Sequence, residues 1–372
     1  MEKLRVFLLN GSSIYGGGEF YVLQIAKELK NRGHFVIVGC RKDTLLFEKC
    51  RKEDVNTEYI GFRENGSKGF AGNVKKIKQI ALINKIQIIH TNTGIDRTAG
   101  AAAARLAGVK HVSSCHSLVS IRRNLTHWLR NKYFTDAFIA DGETIKYLLT
   151  NNNKINNNKV ELINNGISPE EMVKNSTAGK ELREEFGIGE NEIIIGNVAR
   201  LVYFKGHKYL LDAFAGLKED SDFVKLIIAG DGELMNELRE YSNMLNISDN
   251  VIFTGFREDL QKLYSAFDIY VQPSIEGGGE LFPFTVLYAM AASLPVIATD
   301  IGDIPYIVDN ERTGFIIKEK SVYELSEKLK LLISSPELGK KLGNEGNIKF
   351  SRQYTTDKMI EKTDALYHKL LK

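Results

Sequence analysis

Two cations and one carboxylate follow predicted strands and precede predicted helices. Arg200 and Lys205 lie just past the end of a strand in the second half of the chain, with Gly206 beside them. Glu280 follows three glycines and precedes a helix that begins near Pro283. Ligands of open α/β sheets bind outside the carboxyl ends of the strands. The cations are suited to clamp a diphosphate, and the helical amides near Glu280, around Phe284, Thr285 and Val286, to contact phosphate or sugar. Two solvated loop cations and a helix-capping acid are the alternative.

Glycines also follow the first predicted strand, in the segment NGSSIYGGGEF. Gly16, Gly17 and Gly18 would expose backbone N–H groups at the start of a helix, which suits an anionic group. The dinucleotide pattern G-x-G-x-x-G fails, because Tyr21 stands where its third glycine belongs. Arg41, after the second strand, leaves an NADP enzyme open as an alternative. No G-x-x-x-x-G-K-[ST] is present, which excludes a P-loop.

His116 ends a predicted strand and is a candidate active-site residue. Its neighbour Cys115 suggests a Cys–His nucleophile, but successive side chains of a strand point to opposite faces. We therefore assign Cys115 to the core. A literal D-x-D at Asp220 and Asp222 lies in a polar loop before a strand, and we predict that it binds no metal.

The elements that must position these residues alternate between strands and helices. This alternation predicts parallel βαβ units in doubly wound sheets, hence an α/β fold. It begins again after the polar segment at 168–182, which predicts two modules, and the length of 372 residues agrees with two or three domains. Apolar residues make up 43% and charged residues 26%, as in ordinary globular proteins.

Charge is distributed unevenly along the chain. Residues 1–159 carry 26 Lys and Arg against 13 Asp and Glu, whereas residues 160–372 carry 24 against 34. A basic first half suits an anionic membrane or a phosphorylated substrate, and a solvated basic face is the alternative. Nucleic acid is not expected as a partner, because no recognised binding module is present.

The segment SIRRNLTHWLRNKYF at 120–134 interleaves basic and apolar residues and contains Trp128. It predicts either a helix that binds an anionic membrane surface or a helix that packs its apolar side on the domain. No apolar stretch approaches the roughly 20 residues of a membrane-spanning helix. No signal peptide is evident, and three cysteines cannot form a disulfide framework. These features predict a cytoplasmic protein, with peripheral attachment to the inner face of the membrane as an option.

The motifs, taken in order, resemble those of the family 4 glycosyltransferases. They are G-G-x-E after the first strand, His116, N-G-I, G-N-x-A-R-L-x-x-x-K-G, A-G-D-G-E, F-x-G, and the Glu280 block running into A-M-A-x-x-x-P-V-I-A-T. The resemblance covers nearly the whole chain. It implies the GT-B fold, two Rossmann-like domains that face a central cleft. Residues 1–168 would bind the acceptor and residues 169–354 the nucleotide-sugar donor, with a final helix at 355–372 crossing back to the first domain.

The resemblance also implies roles for individual residues. Arg200 and Lys205 match the diphosphate clamp, Glu280 matches the acid that contacts the donor sugar, and His116 matches a histidine near the reacting carbon. The implied donor-binding positions are Gly16, Gly17, Gly255, Phe256, Phe284, Thr285, Val286 and Tyr288. Neither a metal ion nor another cofactor is expected.

The implied activity is retaining transfer of a sugar by front-side displacement, from a UDP- or GDP-linked donor, UDP being favoured. The acceptor would be a glycan or a lipid-linked molecule in cell-surface polysaccharide or glycolipid biosynthesis. Tyr288 departs from the family pattern, because it replaces the second acid of Glu-x7-Glu, and Asp303 replaces a glycine. These departures keep two alternatives open, a nucleotide-sugar 2-epimerase of the same fold and a non-catalytic partner subunit.

Overall fold

The protein consists of two compact units. The computed structural model describes residues 2–14, 16–62, 66–116, 125–218, 223–278 and 280–372. The first unit comprises Met1–Asn165 and Thr356–Lys372, and the second comprises Gly166–Thr355. The sequence-based boundary was drawn slightly later, at 168–169.

The first unit contains a parallel sheet with the strand order β3-β2-β1-β4-β5-β6-β7. Its strands are β1 (Arg5–Leu9), β2 (Phe35–Cys40), β3 (Asn56–Tyr59), β4 (Ile88–Thr91), β5 (Lys110–Cys115), β6 (Ala137–Ala140) and β7 (Val160–Leu162). Its helices up to this point are α1 (Gly17–Asn31), α2 (Leu45–Lys52), α3 (Gly66–Ile83), α4 (Arg97–Ala107), α5 (Leu125–Leu129) and α6 (Glu143–Tyr147). A π-helical turn, Arg130–Phe134, continues α5.

The alternation of buried side chains along β1 shows why helices cover both faces of this sheet. Val6 and Leu8 belong to a cluster with residues of α1 and α2. Phe7 and Leu9 belong to a second cluster with residues of α3 and α4. Successive strand residues point to opposite faces, so a strand that is apolar at every position needs a helix layer on each side.

The second unit repeats this architecture with the strand order β10-β9-β8-β11-β12-β13, again all parallel. Its strands are β8 (Ile193–Val198), β9 (Val224–Ala229), β10 (Val251–Gly255), β11 (Ile269–Gln272), β12 (Val296–Thr299) and β13 (Gly314–Ile317). Its helices are α7 (Ser176–Glu185), α8 (His207–Lys218), α9 (Met235–Met244), α10 (Leu260–Ala266), α11 (Phe284–Ala291), α12 (Ile304–Ile307), α13 (Val322–Ser334) and α14 (Pro336–Gln353). The predicted α/β class with two doubly wound parallel sheets is confirmed.

The final helix, α15 (Thr356–Leu371), belongs to the first unit. Met359 and Tyr367 lie in the same buried cluster as residues of β1. The Tyr367 hydroxyl is 2.6 Å from Nδ1 of His90, whose Nε2 is 2.7 Å from the Ser114 hydroxyl. Burial lowers the pKa of His90 to about 3, so the ring stays neutral and both of its nitrogens are hydrogen-bonded.

None of the helices in the described ranges is both long enough and apolar enough to cross a membrane.

Tyr367→Phe should destabilise the first unit, because it leaves one nitrogen of buried His90 without its partner. A buried polar group that loses its partner costs about 1–3 kcal/mol. The urea midpoint of the variant should therefore fall below that of the wild type. Tyr323→Phe is the matched control, since Tyr323 is 75% exposed and its loss should leave the midpoint unchanged. Equal midpoints for the two variants would show that the hydroxyl of Tyr367 does not stabilise α15.

Candidate active site

The strand order of the second sheet reverses between β8 and β11. The chain proceeds from β8 outward through β9 to β10, and from β11 outward through β12 to β13. The loops that follow β8 and β11 therefore leave in opposite directions and open a crevice at the carboxyl edge of the sheet. This is the position at which doubly wound sheets bind ligands. Lys205 comes from the first of these loops and Glu280 from the second.

The two loops are tied to each other by backbone contacts. The N–H of Ile275 donates to the carbonyl of Phe204 over 2.8 Å. Gly206 has a φ of +70°, and a Cβ at this position would collide with the carbonyl oxygen of Pro273. Only glycine combines this left-handed backbone with so close an approach. The glycine after Lys205 therefore fixes the loop that carries the cation.

Lys205 and Glu280 form an ion pair in this crevice. Their side chains are 14% and 9% exposed. The Nε2 of Gln272 and the hydroxyl of Ser274 donate to the same carboxylate oxygen, Oε2, over 3.1 and 3.0 Å. Within the described part of the chain, no donor reaches the other oxygen, Oε1. One face of the carboxylate is therefore held by the protein, and the other is available to a ligand.

Gln272 connects Glu280 to helix α11. Its Oε1 accepts hydrogen bonds from the hydroxyls of Tyr270, at 2.7 Å, and Thr285, at 3.1 Å. These two donors orient the amide so that its NH2 group faces Glu280. Gln272 and Ser274 were not identified from the sequence. The available signal was the Q-P-S tripeptide at a strand end, directly before the glycine-rich loop.

The loop after β12 supports the backbone of Glu280. Gly302 has a φ of +59°, and a Cβ there would collide with the Glu280 carbonyl oxygen. The N–H of Asp303 donates to the Leu281 carbonyl over 2.8 Å. Two loops thus define the position of this carboxylate, one through its side chain and one through its main chain.

Arg200 lies in the loop after β8 and is exposed. Its guanidinium carbon is 6.0 Å from the centroid of the Phe204 ring, and Nζ of Lys205 is 5.6 Å from the same centroid. Among the described residues, Arg200 forms no ion pair. The Phe204 ring leaves no room for a side chain at Gly278. The two cations therefore flank one aromatic ring at the edge of the crevice.

The predicted positions on α11 are largely engaged within the protein. The N–H of Val286 donates to the Pro283 carbonyl over 3.2 Å, and the side chain of Val286 is fully buried. The Thr285 carbonyl accepts from the Tyr264 hydroxyl over 3.0 Å. Phe284 is the first residue of the helix. No donor-binding role of these three residues follows from these contacts, and each remains a prediction.

Tyr288 is buried in an aromatic cluster. Its ring centroid is 5.8 Å from that of Tyr264, which is 5.5 Å from that of Tyr270. Gly255 is the last residue of β10 and has a φ of +73°, and Phe256, which follows it, is 74% exposed. Phe256 is therefore an exposed aromatic ring at this edge of the sheet, as is Tyr203 in the loop after β8, which is 68% exposed.

Gly16 and Gly17 lie at the start of α1 in the first unit. The N–H of Gly16 donates to Oε2 of Glu19 over 2.9 Å, and the amide of Asn10 donates to Oε1 over 3.1 Å. Glu19, the acid of the G-G-x-E motif, is therefore a buried helix cap that orders the loop.

His116 follows β5 in the same unit. Its Nδ1 lies 3.0 Å from Oδ2 of Asp141, which is buried, and its ring contacts that of Tyr21. Within the described residues, Nε2 of His116 has no hydrogen-bond partner. Burial raises the pKa of the Cys115 thiol, which is consistent with the assignment of Cys115 to the core rather than to a nucleophile.

Two segments of the sequence analysis fall wholly or partly outside the described residues. Asp220 and Asp222 lie outside them, and so do Arg122 and Arg123 of the basic segment. The remainder of that segment, from Leu125, is α5 and its π-helical continuation.

Comparison with known proteins identifies the family. The model of Glycosyltransferase Family 4 matches residues 15–171, and that of Glycosyl transferases group 1 matches residues 179–349. The chain is 33% identical over 312 residues to EpsF of Bacillus subtilis, a putative glycosyltransferase, covering 80% of this chain and 79% of that one. The chain belongs to glycosyltransferase family 4.

Two further comparisons extend this assignment. An Escherichia coli UDP-Gal:α-D-GlcNAc-diphosphoundecaprenol α-1,3-galactosyltransferase is 30% identical over 257 residues, which are 63% of each chain. The structure of Anabaena HepE in complex with UDP superposes with a TM-score of 0.87 at 21% identity, covering 98% of this chain and 100% of that one. This family 4 protein is a glycosyltransferase with the GT-B fold, as the motifs predicted.

Gly206→Ala should destabilise the second unit and deform the loop of Lys205. Gly187→Ala is the matched control, because Gly187 also has a positive φ, +65°, but faces open space. Both variants lose about 1–2 kcal/mol to the left-handed backbone, and only Gly206→Ala adds the collision. The melting temperature should therefore fall further for Gly206→Ala than for Gly187→Ala. Equal losses would contradict the proposed packing of the two loops.

Proposed function

We propose that this glycosyltransferase transfers a sugar from a UDP-linked donor, with GDP as the alternative, to a glycan or lipid-linked acceptor, with retention of configuration and without a metal ion. The observation that carries the proposal is the ion pair of Lys205 and Glu280 at the switch point, beside exposed Arg200. Two comparisons support it. HepE was solved with UDP, and the Escherichia coli relative is named for a UDP-galactose donor and a lipid-diphosphate acceptor.

The chemistry of transfer explains why these residue types are needed. Glycosyl transfer passes through an oxocarbenium-like state while negative charge develops on the departing nucleoside diphosphate. Fixed cations aimed at that charge lower the barrier. We assign this role to Arg200 and Lys205, which would act in place of a metal ion. Turnover should then persist in the presence of EDTA.

Glu280 is assigned to the sugar being transferred. Lys205, Gln272 and Ser274 all bind Oε2, so Oε1 is the oxygen that can accept a hydrogen bond from a sugar hydroxyl. Because three donors hold this carboxylate, its side chain should move little when a substrate binds. This preorganisation favours recognition of one sugar geometry over another.

The nucleoside is assigned to the turn at Gly255 and Phe256. An exposed phenylalanine at the carboxyl edge of the sheet offers a stacking surface for a base. A carboxylate at position 288 could accept hydrogen bonds from both ribose hydroxyls with its two oxygens. The single hydroxyl oxygen of Tyr288 cannot reproduce this arrangement. We therefore expect nucleotide affinity to depend more on the diphosphate and the base than on the ribose.

His116 is assigned to the transferred sugar, and Asp141 is its positioning residue. A buried carboxylate that accepts from Nδ1–H fixes the ring orientation and leaves Nε2 to face a ligand. Gly16 and Gly17 are assigned to the diphosphate of the donor. Because the N–H of Gly16 already donates to Glu19, the amide that would bind the diphosphate is that of Gly17.

The acceptor is assigned to a membrane, which the protein would contact through the described end of the basic segment. Leu125, Trp128 and Tyr133 are exposed, and Nζ of Lys132 lies 4.7 Å from the Trp128 ring and 5.0 Å from the Tyr133 ring. Exposed aromatic rings beside a lysine suit the headgroup region of an anionic bilayer. The exposure of these side chains favours this interpretation over a helix that packs its apolar side on the domain.

Lys205→Ala and Glu280→Ala should each abolish UDP release from a UDP-sugar in the presence of a lipid-linked acceptor fraction. Lys208→Ala is the control, because Lys208 lies nearby but forms a surface ion pair with Glu237. A thermal-shift panel of UDP, GDP, ADP, CMP and NADP identifies the nucleotide, since a ligand that binds only the folded state raises its stability. The UDP shift should vanish in Lys205→Ala and persist in Lys208→Ala.

Four results of the turnover and thermal-shift measurements would overturn the proposal. Full turnover in either active-site variant would contradict the assigned site. A shift with NADP alone would favour an oxidoreductase, and epimer formation without an acceptor would favour an epimerase. A folded protein that binds no nucleotide would favour a non-catalytic partner.

The double variant Leu125→Ala/Trp128→Ala should lose sedimentation with phosphatidylglycerol vesicles but keep its UDP-induced shift. Leu106→Ala is the control, since Leu106 is an exposed leucine on α4. Vesicle binding that survives in the double variant would contradict the assignment of this surface.

A further inference from the structure

Two buried arginines of the first unit have no ion-pair partner among the described residues. Arg97 is 8% exposed and Arg130 is 5% exposed. Neither forms an ion pair with a carboxylate among the residues that the structure describes. A buried charge is costly unless it is paired, and replacing it by an apolar group is often neutral or stabilising. These two guanidinium groups therefore require an explanation beyond the stability of the fold.

The bonds that hold the two side chains go to uncharged partners. Arg97 donates from Nε to the Ser113 hydroxyl over 2.7 Å, and from Nη2 to the Ser114 carbonyl over 3.1 Å. Arg130 donates from Nη1 to the Thr98 hydroxyl over 2.8 Å, and from Nε and Nη2 to the side-chain oxygen of its neighbour Asn131. The positive charge of each group remains uncompensated by these bonds.

Asp96, the acid adjacent to Arg97 in the sequence, is occupied elsewhere. Its two oxygens accept the N–H groups of Gly11, Asn92 and Thr93 over 2.9–3.1 Å. Burial raises the pKa of Asp96 to about 6. Asp96 therefore ties the loops after β1 and β4 together; it acts on Arg97 through space but forms no hydrogen bond or ion pair with it.

The two guanidinium groups act on each other. Burial, and then repulsion from Arg97, lower the pKa of Arg130 to about 10. Both arginines also interact with Cys115, and Arg97 contacts its sulfur over 3.3 Å. Cys115 is the last residue of β5 and precedes His116. The excess positive charge therefore lies at the carboxyl edge of the first sheet, where such sheets bind ligands.

We propose that Arg97 and Arg130 form a subsite for a phosphate-type oxyanion carried by the acceptor. The proposal rests on the proposed transferase function and adds the chemical class of the acceptor. Guanidinium groups bind such oxyanions with paired, charge-assisted hydrogen bonds. The acceptor would thus be a sugar or lipid phosphate or diphosphate, and the arginines would bind its charged linkage rather than the hydroxyl that reacts.

Arg130→Met separates a binding role from a structural one, because methionine fills a similar space without the charge. If Arg130 serves to bind a ligand, its buried charge destabilises the protein when no ligand is bound. The Arg130→Met protein without ligand should therefore melt no lower than the wild type. A structural arginine would instead cost stability. Arg105→Met is the control, since Arg105 is an exposed residue of α4.

Pyrophosphate serves as the probe, in the Lys205→Ala background to remove the site of the second unit. It should raise the melting temperature of Lys205→Ala and of Lys205→Ala/Arg105→Met. Adding Arg130→Met should weaken the apparent affinity for pyrophosphate by about tenfold or more. An unchanged pyrophosphate response, or a lower melting temperature of the free Arg130→Met protein, would overturn the subsite.

Two further measurements distinguish this subsite from the donor site and from a site for a lipid headgroup. In the first, UDP is added to the Arg130→Met variant with Lys205 intact, and the UDP-induced rise in melting temperature should persist. If UDP shifts neither this variant nor the wild type while the pyrophosphate result holds, the donor assignment fails and the subsite stands. Phosphatidylglycerol vesicles test the other source of phosphate. Loss of vesicle binding in Arg130→Met with an unchanged pyrophosphate response would assign the arginines to a lipid headgroup and overturn the acceptor subsite.

Discussion

Lys205 and Glu280 lie 75 residues apart in the chain and bring opposite charges into a site that is largely closed to water. Each charge would be costly there without the other, because desolvation of a single buried ion outweighs most local interactions. The surrounding contacts keep the Lys205 ammonium and the Glu280 carboxylate together. Gln272 and Ser274 hold the carboxylate, and Gly206 lets the lysine loop approach the carbonyl of Pro273, which lies between them. A nucleotide sugar that binds here must offer the lysine a second anion, since the first is already in place.

The first unit solves a different electrostatic problem at the corresponding edge of its sheet. Three of its carboxylates bind other parts of the unit: Glu19 binds the start of α1, Asp96 binds the loops after β1 and β4, and Asp141 faces His116. Its arginines, Arg97 and Arg130, are left with neutral partners. The charge imbalance visible along the sequence is therefore also a local property of this edge. The second unit presents an ion pair beside the exposed cation Arg200, whereas the first presents two buried arginines with neutral hydrogen-bond partners.

Much of the fold could be predicted from the sequence because buried parallel strands are continuous apolar runs. The strand predicted before Arg200 is β8, and the helix predicted to begin near Pro283 is α11, which starts at Phe284. The strand β3 was not predicted. Its sequence, NTEY, has no apolar run, since it is a partly exposed strand at the edge of the sheet. Pairing with β2 makes it a strand, and pairing is not a property of a local sequence.

The candidate site divides along the same line. Lys205 and Glu280 could be found because they stand next to glycines at strand ends, and such positions carry a local signature. Gln272 looks like any polar residue until the structure shows that it bridges Glu280 and Thr285. The arginines of the first unit were hidden for the opposite reason, since a sequence records a charge but not whether a carboxylate lies within reach.

The helix α15 gives the two units a fixed order of completion. The first unit is made of two separate stretches of chain, and the second unit lies wholly between them. A ribosome that has finished the second unit has therefore not yet supplied the segment that covers one face of the first sheet. Until Thr356–Leu371 emerges, His90 lacks the hydroxyl of Tyr367, and the apolar residues beneath the helix remain exposed. Domains usually fold in the order of their synthesis, but here the unit that begins the chain is the last to be completed.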